Sequence, residues 1–344
     1  MMFQDLHVNP ETSCKSCLSI STDHARTEVG LTLSNMLSTF AKRSAAGGVI
    51  VWLITLLLTT SDSEQAELVH KVVFWAVLVI VPLGLSVVAE ERGLYKLVVF
   101  AQPVAALFTV ASFFVQKGVL SAALASAWLL LNILIALLGL LRLTSRGFHR
   151  IEELSVDAGL LYLPVAGGWL VIYRLGIQPF AFGEMIVLLT AVHFHFAGFA
   201  TPIIAGLSGR VLARRDYPRN VFGLSVFALI AAMPLVAAGI TFSPWIGFAG
   251  ALLLTLGLVL LAVLTIGWVR PLITPAASRV LLSIGAISSC AAMVLACLYA
   301  YSVATQTLII TIPGMAMTHG LLNAFGFVTC SLLVWSQRVV DFPQ

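Results

Sequence analysis

The chain has 344 residues, of which 60% are hydrophobic and 10% are charged, and its mean hydropathy is +1.02. Because a soluble domain carries about 25% charged residues, this chain has too little charge to cover a globular surface in water. The composition excludes a soluble enzyme, a nucleic-acid-binding protein and a disordered scaffold as first interpretations. It predicts an integral membrane protein whose immediate partner is the lipid bilayer.

Continuous apolar runs predict the membrane-spanning helices. A helix that crosses the hydrocarbon core needs about 20 apolar residues. Ten runs approach that length, at 45–61, 72–89, 95–116, 119–141, 157–174, 182–207, 220–241, 244–268, 279–304 and 313–335. The runs do not alternate in polarity as the strands of membrane barrels do. We therefore predict an all-α, polytopic transmembrane helix bundle of about ten spans.

The rest of the chain divides into two short polar regions around the bundle. Residues 1–43 are predicted to form a polar cytoplasmic tail, for which disorder is one alternative, and they lack the apolar core of a signal peptide. Residues 44–338 are predicted to form the ten-helix transmembrane domain, and residues 339–344 a short cytoplasmic tail.

The basic residues predict the orientation of the bundle. Fourteen Lys and Arg residues flank one set of span ends, whereas only Lys71, Lys117 and Arg174 flank the other set. Short loops rich in basic residues stay in the cytoplasm, so we expect both termini to be cytoplasmic. The net charge of +4 then reflects topology and attraction to anionic lipid at the cytoplasmic face, and it requires no nucleic acid.

Side chains at the span ends are predicted to have interfacial roles. Trp75 and Tyr173 fall at outer ends and Tyr95 at an inner end, where aromatic rings anchor helices at the headgroup level. Asp157 begins the fifth span and is expected to complement the helix dipole. Arg210 belongs to a basic cluster whose charge is explained by retention of the loop in the cytoplasm.

Several familiar motifs are missing from the sequence. It contains no G-x-x-x-x-G-K-[ST] motif and no G-x-G-x-x-G motif, so no nucleotide-binding loop is predicted. No Asp or Glu lies near the middle of a predicted span. This absence weakens an ion-coupled transporter, which often uses a mid-membrane carboxylate, and it also weakens a Ser-His-acid hydrolase.

Three histidines lie inside predicted spans, and they are the main candidate site. His193 and His195 lie in the sixth span and His319 in the tenth. Ionisable groups at this depth are costly and are usually functional, although a neutral imidazole can also link two helices. Positions i and i+2 of a helix lie about 200° apart, so we expect one of the first two to face the site and the other to bond a neighbouring helix.

Other polar side chains are predicted to support this histidine cluster. His193 lies about 16 Å into its span at 1.5 Å per residue, and Asn323 lies at about 15 Å in a parallel span. Met315 and Asn323 flank His319 at one-turn spacing on the same helix face. Glu184 is expected either to begin a path for protons or cations from outside or to pair with Arg174.

The ligand chemistry leaves three functions open. Neutral imidazole suits zinc, copper and haem iron. The first hypothesis is a transition-metal or haem site for redox or related chemistry on a small or lipophilic substrate. The second is a carrier that moves a small solute or protons past the same side chains. The third is a structural or accessory membrane protein whose histidines only join helices.

The N-terminal tail contains a second candidate metal site. Cys14 and Cys17 form a C-x-x-C motif, and His7 and His24 flank it at equal distances. Two thiolates and two imidazoles suit tetrahedral zinc, although the spacing differs from that of the usual zinc motifs. A disordered tail without metal is the alternative.

Two histidine motifs resemble a known family. The segments are His-Phe-His-Phe-Ala-Gly-Phe at 193–199 and His-Gly-Leu-Leu-Asn-Ala-Phe-Gly-Phe at 319–327. Together they resemble the YndJ-like family of bacterial membrane proteins, most clearly over the fifth to tenth spans. The resemblance implies a multi-pass protein of the bacterial inner membrane, and it brings no established reaction.

Overall fold

The fold is a bundle of long helices. A computed structural model describes the backbone of residues 10–88, 90 and 93–337, and side chains from residue 33 onward except residue 181. Within these ranges the chain forms helices joined by short turns, with no strand. The all-α prediction is confirmed.

Ten helices follow one another along the described chain. Their bounds are α1 Pro10–Thr55, α2 Glu64–Val88, α3 Gly93–Ser112, α4 Val119–Arg146, α5 Ile151–Leu175, α6 Glu184–Leu212, α7 Arg219–Phe242, α8 Pro244–Leu272, α9 Ala276–Thr305 and α10 Ile312–Trp335. In the part of the chain that is described, nine of them, α2 to α10, are long and apolar enough to cross a membrane. They correspond to the second to tenth predicted spans, so the polytopic bundle is confirmed.

The helix α1 differs from the first predicted span. The prediction ran over residues 45–61, whereas α1 ends at Thr55 and turns follow it. Lys42 and Arg43 precede the apolar part of α1, which is therefore shorter than the roughly 20 residues that a span needs. The boundary predicted at residue 43 falls inside α1, where Leu37 and Ala41 are buried.

The C-terminal part of α1 nevertheless packs along the whole of α2. Two hydrogen bonds define the antiparallel register: Ser38 Oγ donates to Ser86 O at 2.7 Å, and Trp52 Nε1 donates to Lys71 O at 2.8 Å. Between them, Gly48 lies so close to Leu78 O that a larger side chain would not fit. From Ser38 to Thr55 a helix rises about 26 Å, close to the thickness of about 30 Å of the hydrocarbon core. This part of α1 therefore lies against α2 over most of the depth of the bundle, and a tenth crossing stays a prediction.

Four helices contain π-helical turns. They lie in α2 at Ala76–Ile80, in α6 at Phe194–Ala200, in α8 at Thr265–Val269, and in α10 at Ala316–Gly320 and Leu322–Thr329. In α6 the wider turn precedes Pro202, which has no N–H to donate to Gly198. Thr201 N–H instead bonds Phe196 O, five residues back. The helix thus accommodates this proline with a π-helical segment.

Three aromatic residues predicted as interfacial anchors lie in the core instead. Trp75 is 8%, Tyr95 0% and Tyr173 3% exposed. Helix α2 begins at Glu64, so Trp75 lies three turns inside it, and its indole N–H donates to Thr329 Oγ1 at 2.9 Å. For Trp75 the prediction was wrong because the apolar scan missed the polar first turns of α2. Tyr95 and Tyr173 do lie two residues from the ends of α3 and α5, but neighbouring helices cover them.

A buried arginine organises the predicted cytoplasmic end of the bundle. Arg142 is 1% exposed, and its guanidinium donates to Asp157 at 2.6 Å, Glu153 at 2.9 Å and Glu90 at 3.1 Å. Asp157 was predicted to act on the helix dipole alone. Its carboxylate is instead 1% exposed and bonded to Arg142, so it belongs to an ion network.

Two further arginines complete this ion network. Arg210 binds both carboxylate oxygens of Glu153, at 2.7 and 2.9 Å, and Arg146 contacts Glu90 and Glu153. The three arginines and three acids tie the end of α2 to α4, α5 and α6. Arg210 therefore has a packing role as well as the topological role that the sequence predicted. We call these six residues the inner ion network.

The inner ion network predicts a specific pattern of destabilisation. Arg142→Ala leaves buried carboxylates without a partner, and we expect a loss of about 3–5 kcal/mol in stability. The matched control is Arg215→Ala, which removes an exposed arginine near the same end of the bundle and should change stability by less than about 0.5 kcal/mol. Thermal unfolding in detergent, followed by size-exclusion chromatography, compares the two. Equal stability of the two variants would contradict this assignment.

The topology gives a second prediction. We expect reporters fused before residue 1 and after residue 344 to be cytoplasmic, and reporters inserted near Asp62, Lys117 and Gln178 to be external. An N-terminal reporter outside and a C-terminal reporter inside would show that α1 does not cross. A C-terminal reporter outside would contradict the whole orientation.

Candidate functional site

The two histidines of α6 lie on opposite sides of the helix. His193 is exposed, whereas His195 is 0% exposed. His193 is the last residue before the π-helical segment, and His195 is the second residue within it. Their side chains lie on opposing faces of the helix. The three predicted histidines therefore do not form one cluster.

His195 is engaged through both ring nitrogens. Its Nδ1–H donates to Ala191 O at 2.8 Å, and its Nε2 accepts the indole N–H of Trp128 at 2.9 Å. Because Trp128 Nε1 can only donate, the ring is the neutral Nδ1–H tautomer with no lone pair left over. His195 thus links α6 to α4, and this geometry gives it a structural role.

His193 and His319 face each other across α6 and α10. Their ring centroids are 6.3 Å apart and their planes are inclined by 24°. His193 Nδ1–H donates to Leu189 O at 2.7 Å, and His319 Nδ1–H donates to Ala292 O at 2.8 Å. A carbonyl on Nδ1 fixes the tautomer in which Nε2 carries the lone pair, the arrangement common in metal-ligating histidines. We call these two residues the histidine pair.

The spacing of the histidine pair constrains what can lie between the rings. The two ring planes are nearly parallel and stacked, with centroids 6.3 Å apart. Because the Nε2 lone pairs lie in the ring planes, an ion shared by both rings requires one imidazole to turn its edge toward the other. Among the described residues no three His, Cys, Asp or Glu side chains come together, so further ligands would be of other types.

The pair lies on a side of α6 and α10 that neighbouring helices leave partly uncovered. His193 is exposed, and every residue of α10 from 312 to 323 is at least partly exposed. His193 lies about 14 Å along α6 from Glu184 at 1.5 Å per residue. An imidazole in contact with hydrocarbon at this depth is costly, so the exposure of His193 marks it as a candidate functional residue.

Two predicted supporting residues lie on α10 near His319. Asn323 Nδ2 is 3.3 Å from each ring nitrogen of His319 and 3.2 Å from its carbonyl oxygen. Met315 is partly buried and lies one turn before His319 in α10, whereas Asn323 lies one turn after it. Amide and thioether groups therefore stand within one turn of the pair.

Glu184 lies away from the histidine pair. Its carboxylate forms an ion pair with Lys117 at the outer end of the bundle. Arg174, the partner considered from the sequence, is 2% exposed and donates to Ser112 O at 2.8 Å and Val115 O at 2.6 Å. A role of Glu184 at the mouth of a path stays a prediction.

The four residues of the candidate tail site have no described side chains. Cys14, Cys17 and His24 precede the first described side chain, and His7 precedes the first described residue, so this site lies outside the described residues. Zinc binding by the tail stays a prediction.

Sequence reasoning missed a buried histidine near the outer end. His70 is 2% exposed and lies between Tyr173 O–H, at 2.6 Å from Nε2, and Thr60 Oγ1, at 2.8 Å from Nδ1. Thr60 in turn donates to Glu67 at 2.7 Å. The available signal was Ser63, whose side chain caps α2 one turn before Glu67. Recognising Ser63 as the cap would have placed the start of α2 before His70.

Comparison with known proteins extends the sequence resemblance. The family model described as YndJ-like protein matches residues 71–327, so it reaches back into α2, well before the histidine motifs. A relative from Bacillus subtilis (strain 168), called "Uncharacterized membrane protein YndJ", is 32% identical over 257 residues. That alignment covers 73% of this chain and 43% of the relative, so the chain spans less than half of the relative's length.

No solved structure matches the chain. The family model nevertheless covers most of the described bundle, from α2 to the π-helical turn of α10, and the Bacillus relative is named as a membrane protein. The chain belongs to the YndJ-like protein family.

Proposed function

We propose that this integral membrane protein binds a transition-metal ion between His193 and His319. The observation that carries the proposal is the pair of Nδ1–H bonds to Leu189 O and Ala292 O. These bonds leave Nε2 as the acceptor nitrogen of each ring, with Asn323 Nδ2 3.3 Å from that of His319. The rings lie close enough for one ion to be shared once a ring has turned, and the exposed side of His193 leaves the ion open to a small or lipophilic substrate.

The donor set favours a soft or borderline metal. Two neutral imidazoles, with an amide and a thioether within one turn, suit copper, zinc or iron better than calcium or magnesium. A neutral site in a low-dielectric setting favours a monovalent ion, since charge without a counter-ion is costly to bury. Copper(I) with two imidazole ligands and haem iron between two imidazoles both fit this donor set.

We also propose where the bundle lies in the cell. The excess of basic residues supports an inner-membrane protein with the inner ion network at the cytoplasmic side. Exposed basic residues of that face, such as Arg214 and Arg215, are then positioned to attract anionic lipid.

The proposal predicts the effect of removing either ring. His319→Ala and His193→Ala should each lower copper(I) affinity at least about tenfold, the usual scale for a loss at a metal site. The measurement is competition with a copper(I) chelator, on purified protein reconstituted with copper under ascorbate. Elemental analysis of protein as isolated identifies zinc or iron, and a Soret band identifies haem iron. His319→Gln keeps a polar side chain if the alanine variant is unstable.

A matched histidine separates metal binding from folding. His195→Ala removes the bond to Trp128 and leaves a buried indole N–H unpaired, which should cost about 1–3 kcal/mol in stability. It should leave copper affinity close to that of the wild type. His149→Ala, at an exposed position outside the spans, should change neither quantity.

The contrary result is equally specific. Protein that binds no copper, zinc, iron or haem, or that loses metal in His195→Ala but keeps it in His319→Ala, would contradict the proposal. The open approach to His193 would then favour the second candidate, passage of a small solute or protons past the same side chains.

A further inference from the structure

A small cavity lies where the inner halves of α6, α8, α9 and α10 meet. It measures about 10 Å³, roughly the space that one buried water molecule needs. Most of its wall is apolar, but each of the four helices contributes one hydroxyl, from Ser208, Thr265, Ser289 and Ser331 in that order. We call this space the hydroxyl cavity.

One hydrogen-bond donor in the wall of the hydroxyl cavity is unsatisfied. Trp335 lines the cavity, and its Nε1 is buried without a hydrogen-bond partner among the described residues. A buried N–H is nearly always paired, with protein or with ordered water, and an indole N–H can only donate. An occupant of the cavity would therefore have to accept a hydrogen bond from Trp335.

The hydroxyls can complete the hydrogen bonding of such an occupant. Ser208 Oγ and Ser289 Oγ donate to carbonyl oxygens of their own helices, at 3.0 and 2.9 Å. Both oxygens keep lone pairs with which to accept, whereas the hydroxyls of Thr265 and Ser331 can donate or accept. A molecule that accepts the indole N–H and donates to two hydroxyl oxygens would satisfy this set.

Size and charge restrict the occupant to water. The volume is too small for an organic molecule. A metal ion would find no carboxylate, thiolate or imidazole among the described residues that line the cavity, and it would face the positive end of the indole N–H. An anion would find no Lys or Arg in the same wall, and a buried charge without a partner is costly. A neutral water molecule has the right size and typically makes about three hydrogen bonds in a buried site.

A water at this position would connect α10 to its neighbours. In the last turns of α10, the Cys330 and Ser336 side chains donate to carbonyl oxygens of α10 itself. A water bonded to both Trp335 and Ser208 would join α10 to α6 at this level by hydrogen bonds. Since the surrounding bilayer offers no partner for polar groups, a water enclosed by the protein is the available source.

We infer that the hydroxyl cavity is a binding site for one ordered water molecule. The water accepts a hydrogen bond from Trp335 and donates to hydroxyls of the neighbouring helices. It is thus part of the packing between α6 and α10, the two helices that carry the histidine pair. The inference does not depend on metal binding by that pair.

The direct test is a crystal structure of the full chain, grown in a lipid mesophase and resolved well enough to show ordered water. We expect a density peak about 2.7–3.2 Å from Trp335 Nε1 that also lies within hydrogen-bond distance of hydroxyls of the cavity. A cavity with clear side chains and no such peak would overturn the inference.

The stability of a double variant gives a second test. Thr265→Val Ser331→Ala removes two of the four hydroxyls with little change of shape. If water is bound, it loses hydrogen-bond partners, and the Tm in detergent should fall by about 2–4 °C for each net hydrogen bond lost. In a cavity without water, the same change removes polar groups from an apolar space, so the Tm should rise.

A matched double variant controls for the loss of hydroxyls as such. Thr144→Val Ser283→Ala removes two hydroxyls that lie outside the hydroxyl cavity and bond carbonyl oxygens of their own helices. We expect its Tm to stay close to that of the wild type. A cavity variant that is as stable as this control, or more stable, would show that the hydroxyl cavity holds no water and would overturn the inference.

Discussion

The fold depends on polar partners for its buried charges within the protein, because the bilayer supplies neither water nor counter-ions. Arg142 is the clearest case, since its guanidinium reaches three carboxylates from a position that is 1% exposed. Glu153 also accepts a hydrogen bond from Arg210, so the same carboxylate connects Arg142 of α4 with α6. The inner ion network thereby fixes the ends of α4, α5 and α6 relative to one another.

This anchoring positions the histidine pair from a distance. Helix α6 is held at its inner end by Arg210 and at mid-depth by the bond between His195 and Trp128. With both contacts made, the opposite face of α6 must present His193 to α10. The two histidines of one short motif thus have different roles, since His195 joins α6 to α4 and His193 lies on the opposite side of the helix.

The sequence predicted the parts of this arrangement that depend on local pattern. Apolar length located nine of the helices, and the helical angle between i and i+2 separated His193 from His195. The inner ion network was missed because the pairing of Arg142 with Asp157 links two helices, and charge patterning alone assigns both residues to the membrane surface. The start of α2 was missed because its first turns are polar, so His70 and Trp75 were placed too far out.

The sequence analysis did not predict the π-helical turns either. They determine the site nonetheless. In α10 they include His319 and Asn323, and in α6 the π-helical segment begins directly after His193.

The most direct test of the metal site is X-ray absorption spectroscopy at the copper edge of copper(I)-loaded protein. The account predicts two nitrogen ligands at about 2.0 Å with the outer-shell scattering of imidazole, and loss of one of them in His319→Ala. A spectrum dominated by sulfur ligands, or one unchanged by His319→Ala, would contradict it.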